Sequence, residues 1–135
     1  QVGTPREVSE RPADLFVAGF IGTPPMNTAS GVLADGAVAI GGSRLPVTTS
    51  APPGEVVVGV RPEHLALSDE GPLEQKVRAV EWLGHECLVF GAIGDSPLVV
   101  RQTGLARLEP GGTARLVVDP AHVHVFDPET TERLP

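Results

Sequence analysis

Sixteen glycines and fourteen prolines, spread along 135 residues, leave almost no stretch able to run as a long helix. In a helix interior glycine costs roughly 1 kcal/mol relative to alanine and proline about 3 kcal/mol. Both residues instead suit turns. Between them lie short runs such as Glu55-Val56-Val57-Val58-Gly59-Val60, whose β-branched side chains fit a pleated surface. The expected class is mostly β, built from many short strands and turns. With 41% hydrophobic and 20% charged residues a packed core is possible. The length suits one domain with, at most, a short appendage.

The turn signals place the strands. Asp35-Gly36, between Gly31-Val32-Leu33-Ala34 and Ala37-Val38-Ala39-Ile40, predicts a two-residue hairpin. Leu45-Pro46-Val47 reads as a short strand that Pro46 confines to a sheet edge. The valine run at 55–60 reads as a strand covered by others. A long antiparallel pair is expected at about 73–82 and 85–93, turning around Leu83-Gly84. Residues 97–102, 113–119 and 122–126 complete the set, and eight or more such strands suggest a barrel or sandwich.

Residues 1–27 read differently. Thr4, Pro5 and Glu7 form a helix start, with a Thr cap, proline in the first helical position and Glu three residues after the cap. Pro12 should end that helix, because the residue before a proline is pushed out of helical geometry. A second short helix is expected from Ala13 to about Phe20, where Phe16 and Phe20, and Val17 and Ile21, are four apart. Its sequence is apolar nearly all round, which calls for burial on more than one side.

Charge and composition exclude several functions. A formal charge of −7 with scattered basic residues opposes a phosphate-backbone partner. Four Phe, one Trp and no Tyr leave few platforms for stacked bases. Cys87 is the sole cysteine, compatible with a reducing compartment. No apolar run approaches the roughly 20 residues of a membrane span. No GxxxxGK[ST] phosphate loop and no nucleophile elbow occur in these residues.

Three polar groupings stand out. His122 and His124 lie two apart on an expected strand, so they would share a face as a metal pair could, with Asp119 or Asp127 adding a carboxylate. The more economical reading is a pair of hydrogen-bonded or solvent-facing histidines. Arg61-Pro62-Glu63-His64 interrupts the valine strand. It could hold a ligand or a charge pair, but reads more simply as a proline-made bend at a barrel rim. Trp82, beside Glu81 and Leu83-Gly84, reads as core or rim packing rather than a sugar platform.

These pieces together resemble a family. Phe16-Val17-Ala18-Gly19-Phe20-Ile21-Gly22, continuing through Pro24-Pro25-Met26-Asn27, resembles the junction segment of MalK-type ATP-binding subunits of sugar importers. Gly59-Val60-Arg61-Pro62-Glu63-His64 is similar to their Gly-(Ile/Val)-Arg-Pro-Glu-His motif. Val80-Glu81 with Leu83-Gly84 and Glu86 resembles their Val-Glu-x-Leu-Gly-x-Glu signature, and His124-Val125-Phe126-Asp127 their His-Leu-Phe-Asp ending. Ser9 and Thr28 depart from the family's usual Tyr and apolar residue.

The resemblance implies the C-terminal regulatory domain of such a subunit, of the transport-associated, TOBE type. Its fold would be an OB-like β-barrel with additional strands, preceded by two short N-terminal helices. Residues 1–27 would be the end of the nucleotide-binding domain plus the junction helix, and 28–135 the regulatory β domain. Phe16, Val17, Phe20, Ile21, Met26 and Asn27 would pack the junction; Arg61, Pro62, Glu63, His64, Glu81 and Gly84 would act as structure or interface. No catalytic, cofactor or metal residue is implied for this chain, ATP and Mg belonging to the ATPase domain of the parent. Implied partners are a second copy in a homodimer, that ATPase domain, membrane permease subunits and, in some members, a regulatory protein. The location would be cytoplasmic, at the inner face of the membrane. The alternative reading is a small-ligand domain sensing a sugar or oxyanion, set back by the lack of any cluster of basic residues along the sequence.

Overall fold

A computed structural model describes residues 25–104 and 108–135. Ten strands follow one another: β1 (Asn27–Ala34), β2 (Ala37–Ile40), β3 (Ser43–Pro46), β4 (Gly54–Val60), β5 (Ala66–Leu67), β6 (Leu73–Trp82), β7 (Glu86–Ile93), β8 (Ser96–Thr103), β9 (Thr113–Val117) and β10 (His124–Phe126). Single 3₁₀ turns at Pro62–His64 and Pro120–His122 are the helical elements among the described residues. The two expected N-terminal helices, with Phe16, Val17, Phe20 and Ile21, lie outside them.

The strands form two five-stranded sheets, ordered β10-β4-β1-β2-β3 and β5-β9-β6-β7-β8. Every pairing within them is antiparallel. The Asp35-Gly36 turn has both residues at positive φ, 52° and 75°, as a two-residue hairpin of this twist requires. β3 lies at a sheet edge, where the missing amide of Pro46 removes no ladder bond. The valine strand β4 sits between β1 and β10, covered as its composition demands.

Alternation sets the inner face. On β6 Leu73, Gln75 and Val77 are buried while Glu74, Lys76 and Arg78 are exposed, and on β9 Ala114 and Leu116 point in. These side chains meet Leu33, Val38, Leu45 and Val58 from the first sheet in one continuous core. Gln75 is fully buried, and its amide donates to the carbonyls of Val89 (3.2 Å) and Leu98 (3.0 Å) across β7 and β8. The amide nitrogen is satisfied this way, while Oε1 is buried with no hydrogen-bond partner among the described residues.

Side chains close the seams between the sheets. Asn27, opening β1, donates to the Val99 carbonyl and accepts from the Val99 amide, each at 2.8 Å. Ser43 on β3 accepts from the Glu74 amide of β6 at 3.1 Å. Each replaces ladder bonds that the curled sheets cannot make to one another.

Candidate functional site

Three of the sequence motifs meet at Gly59. It lies on β4 opposite His124 of β10. A Cβ at Gly59 would come within 2.6 Å of Met26 Sδ and 3.0 Å of Phe126 Cε2. The absence of a side chain there lets Met26 and Phe126, both buried, pack together against Val57. Met26, just before β1, is thereby packed against the end of β10.

β4 then runs into Arg61, which is buried at 3% exposure. Pro62 starts a 3₁₀ turn, closed by the His64 amide donating to the Arg61 carbonyl at 3.0 Å. The expected proline bend is therefore a tight turn. Glu63 projects to solvent and His64 is half-buried. Burial draws the Arg61 guanidinium below its ordinary value, partly opposed by Glu63. It stays charged, as arginine does in proteins.

The second 3₁₀ turn, Pro120–His122, is its counterpart. Asp119 caps it, accepting from the Ala121 amide at 2.9 Å. The turn brings the His122 ring onto that of His64, with centroids 3.9 Å apart and planes 15° from parallel. The strand expected over 122–126 begins only at His124, so His122 and His124 do not share a strand face. Pro120 is the reason: it imposes a turn where the alternating pattern alone suggested a strand. Among the described residues no group of three or more His, Cys, Asp and Glu is placed to hold a metal ion.

Beyond β10 the chain folds back. Asp127 accepts from the amides of Glu129 (2.8 Å) and Thr130 (2.9 Å), and these bonds hold its carboxyl below the ordinary range. The Leu134 amide then donates to Val125 at 2.7 Å, and Arg133 bridges to Phe126. This return segment walls an open cleft of about 510 Å³ lined by Thr48, Thr49, His64, His122, His124 and Arg133, among others. His124 is buried there, and its imidazole is pushed down to about 4, first by burial and then by the charges of Arg133, Arg61, His64 and His122. The groups that reinforce the effect of burial are all basic side chains.

The remaining expected residues lie elsewhere. Glu81 and Gly84 sit on the β6–β7 hairpin, Glu81 exposed and Gly84 at a φ of 76° in the turn. Trp82 beside them is 49% exposed, a rim residue and not a core one. Glu86 forms a two-point pair with Arg101 across β7 and β8, at 2.7 and 3.1 Å. That bond lowers the Glu86 carboxyl and raises the Arg101 guanidinium. Arg101 and Arg133 carry no local sequence signal, since their partners are 15 or more residues away or arrive through a turn.

The family model of the MalK OB fold domain matches residues 22–65, and that of the TOBE domain residues 58–126. The sn-glycerol-3-phosphate import ATP-binding protein UgpC of Paracoccus denitrificans is 43% identical over 139 residues, covering 99% of this chain and 39% of that relative. The sulfoquinovosyl glycerol transport ATP-binding protein SmoE of Agrobacterium fabrum is 41% identical, covering 98% and 40%. The chain thus spans about two-fifths of the length of these relatives. A solved structure of the cytoplasmic molybdate-binding protein ModG superposes with a TM-score of 0.61 at 18% identity, over 76% of this chain and 96% of that one. That likeness establishes the OB-like architecture of the β domain and nothing about its ligand. With its TOBE match running from the middle of β4 to the end of β10, the chain belongs to the TOBE domain family, in the branch joined to a MalK OB fold.

Proposed function

We propose that this chain is the non-catalytic regulatory and dimerisation domain of the ATP-binding subunit of an ABC importer, of the class that carries carbohydrates or glycerol phosphates. The observation that carries this reading is the 43% identity with an import ATP-binding protein along 99% of the chain. Residues 1–27 are assigned to the junction with the ATP-binding domain and residues 28–135 to the regulatory domain. ATP and Mg would be held by that other domain, and permease subunits would be met through it, at the cytoplasmic face of the membrane. No helix among the described residues is long and apolar enough to cross a membrane.

The mechanism is mechanical. Two such domains, one from each subunit, hold their ATPase halves together while those halves open and close. A regulator bound to the pair shifts the equilibrium only by its difference in affinity for the two states. Arg61, Pro62, Glu63 and His64 serve this as structure: the buried turn fixes the end of β4 against the rest of the barrel. Nucleic acid is not a partner in this reading, given the acidic charge.

Two measurements test it. Grafting the chain in place of the matching part of the Paracoccus relative should restore glycerol 3-phosphate uptake to a truncated transporter; a correctly expressed graft with no uptake would count against the assignment. Light scattering over a concentration series should give a mass rising toward twice 14.0 kDa. A strict monomer at high micromolar concentration would oppose the dimerisation role.

A further inference from the structure

The outer face of the second sheet carries an apolar row that the core does not use. On β7, Cys87 and Val89 point into the barrel, so Leu88 and Phe90 face away from it. On β8, Leu98 and Val100 point in and Val99 points out, directly opposite Phe90. Leu88, Phe90 and Val99 are half-buried, and none belongs to the buried clusters among the described residues.

The chain enters the barrel beside this row. Asn27 is bonded to Val99 in both directions, and Pro25, Met26, Pro97 and Val99 line a shallow, open groove of about 260 Å³. Ile21 is four residues before Pro25, a reach of about 14 Å when fully extended. Leu88 lies opposite Arg101, only two strand residues or about 7 Å along from Val99. Residues 15–21, Leu-Phe-Val-Ala-Gly-Phe-Ile, hold no polar side chain, and in water they would form a continuous apolar patch. A tether this short keeps their effective concentration at the row near millimolar, above that of a second copy at micromolar concentration.

We propose that residues 15–21 dock on this outer row of the same chain, their aromatic and branched side chains covering Leu88, Phe90 and Val99. In the importer reading this contact would orient the ATP-binding domain on the barrel. The docking itself does not need that reading, since it rests on the residues of this chain alone.

Limited proteolysis tests it, because chymotrypsin cuts after Phe16 and Phe20 only when the segment is released. The cutting rate on the full chain is compared with that on a free peptide of residues 1–24. Docking predicts a rate at least about tenfold slower in the chain, as burial of one large side chain provides. That protection should not change on dilution from high to low micromolar concentration. Phe90→Ser should remove most of it, while Trp82→Ser, at the exposed hairpin end, should leave it intact. Ile21→Ser, measured against a peptide with the same change, gives a second reading that leaves the β domain untouched. Equal rates on chain and peptide would overturn the proposal, as would protection that survives both Phe90→Ser and Ile21→Ser. Protection that fades on dilution would assign the row to a second copy and overturn it as well.

Discussion

Asn27 and Val99 are joined by two hydrogen bonds of 2.8 Å, the side-chain amide of one matching the backbone amide of the other. They stand 72 residues apart, and the contact ties β1 to β8 where the two sheets would otherwise part. The pairing copies what a neighbouring strand would offer. It uses a residue that can both donate and accept.

Asn27→Ala should therefore leave the Val99 amide and carbonyl without protein partners in a half-buried seam. Urea unfolding should give a stability about 2 kcal/mol lower with an unchanged slope. A loss below about 0.5 kcal/mol would mean that packing alone holds the seam.

Two glycines should respond differently to the same substitution. At Gly59 an added methyl meets the Met26 sulfur, a flexible side chain, and the edge of Phe126. At Gly91 it meets the Lys76 carbonyl at 2.0 Å, which is backbone and cannot move aside without breaking the sheet. Gly59→Ala should cost about 1 kcal/mol and Gly91→Ala about 3 kcal/mol or more. Combining Gly59→Ala with Met26→Ala should be clearly non-additive in a double-mutant cycle, because the second change removes the clash.

The imidazole of His124 predicts an acid-sensitive fold. Its value falls from an ordinary 6.5 to about 4 in the folded chain, so between those limits the unfolded chain binds the extra proton. Stability from this group is full above pH 6.5 and should decline by roughly 2–3 kcal/mol as the pH approaches 4. The groups facing it, Arg133, Arg61, His64 and His122, all act in the same direction. Denaturant midpoints measured from pH 7 to 4 should flatten in His124→Gln. The carboxylates of Asp127 and Glu86, also held low, lose their contributions at lower pH than His124 does.

Asp127 organises the return segment through its bonds to the Glu129 and Thr130 amides. Asp127→Ala should free that turn, and hydrogen exchange at the Leu134 amide, which donates to Val125, should speed up markedly. Exchange in β6 and β7 should stay unchanged. Faster exchange throughout would show that the turn supports the whole barrel.

Much of the strand order was legible in the residues. Asp35-Gly36 named its hairpin, Pro46 its edge and the valines of β4 their covered position, because each depends on backbone conformation or on a local pattern of burial. The reading erred where a local pattern met a proline: the alternation of His122 and His124 looked like strand, and Pro120 made a turn of it. For Trp82 the reading left core and rim packing open, and the structure puts it half-exposed at the hairpin, because the pattern alone does not place a side chain at a hairpin end.

By itself, then, the sequence determined the β class, the turns and the motifs that resemble importer subunits. Tertiary structure decided what the motifs are for. Gly59 matters because Met26 and Phe126 arrive from distant segments to fill the space above it. The cleft exists only because two proline-started turns and a folded-back end bring His64, His122, His124 and Arg133 around one cavity. Charge acts through space over several ångströms, and spacing along the chain does not report it.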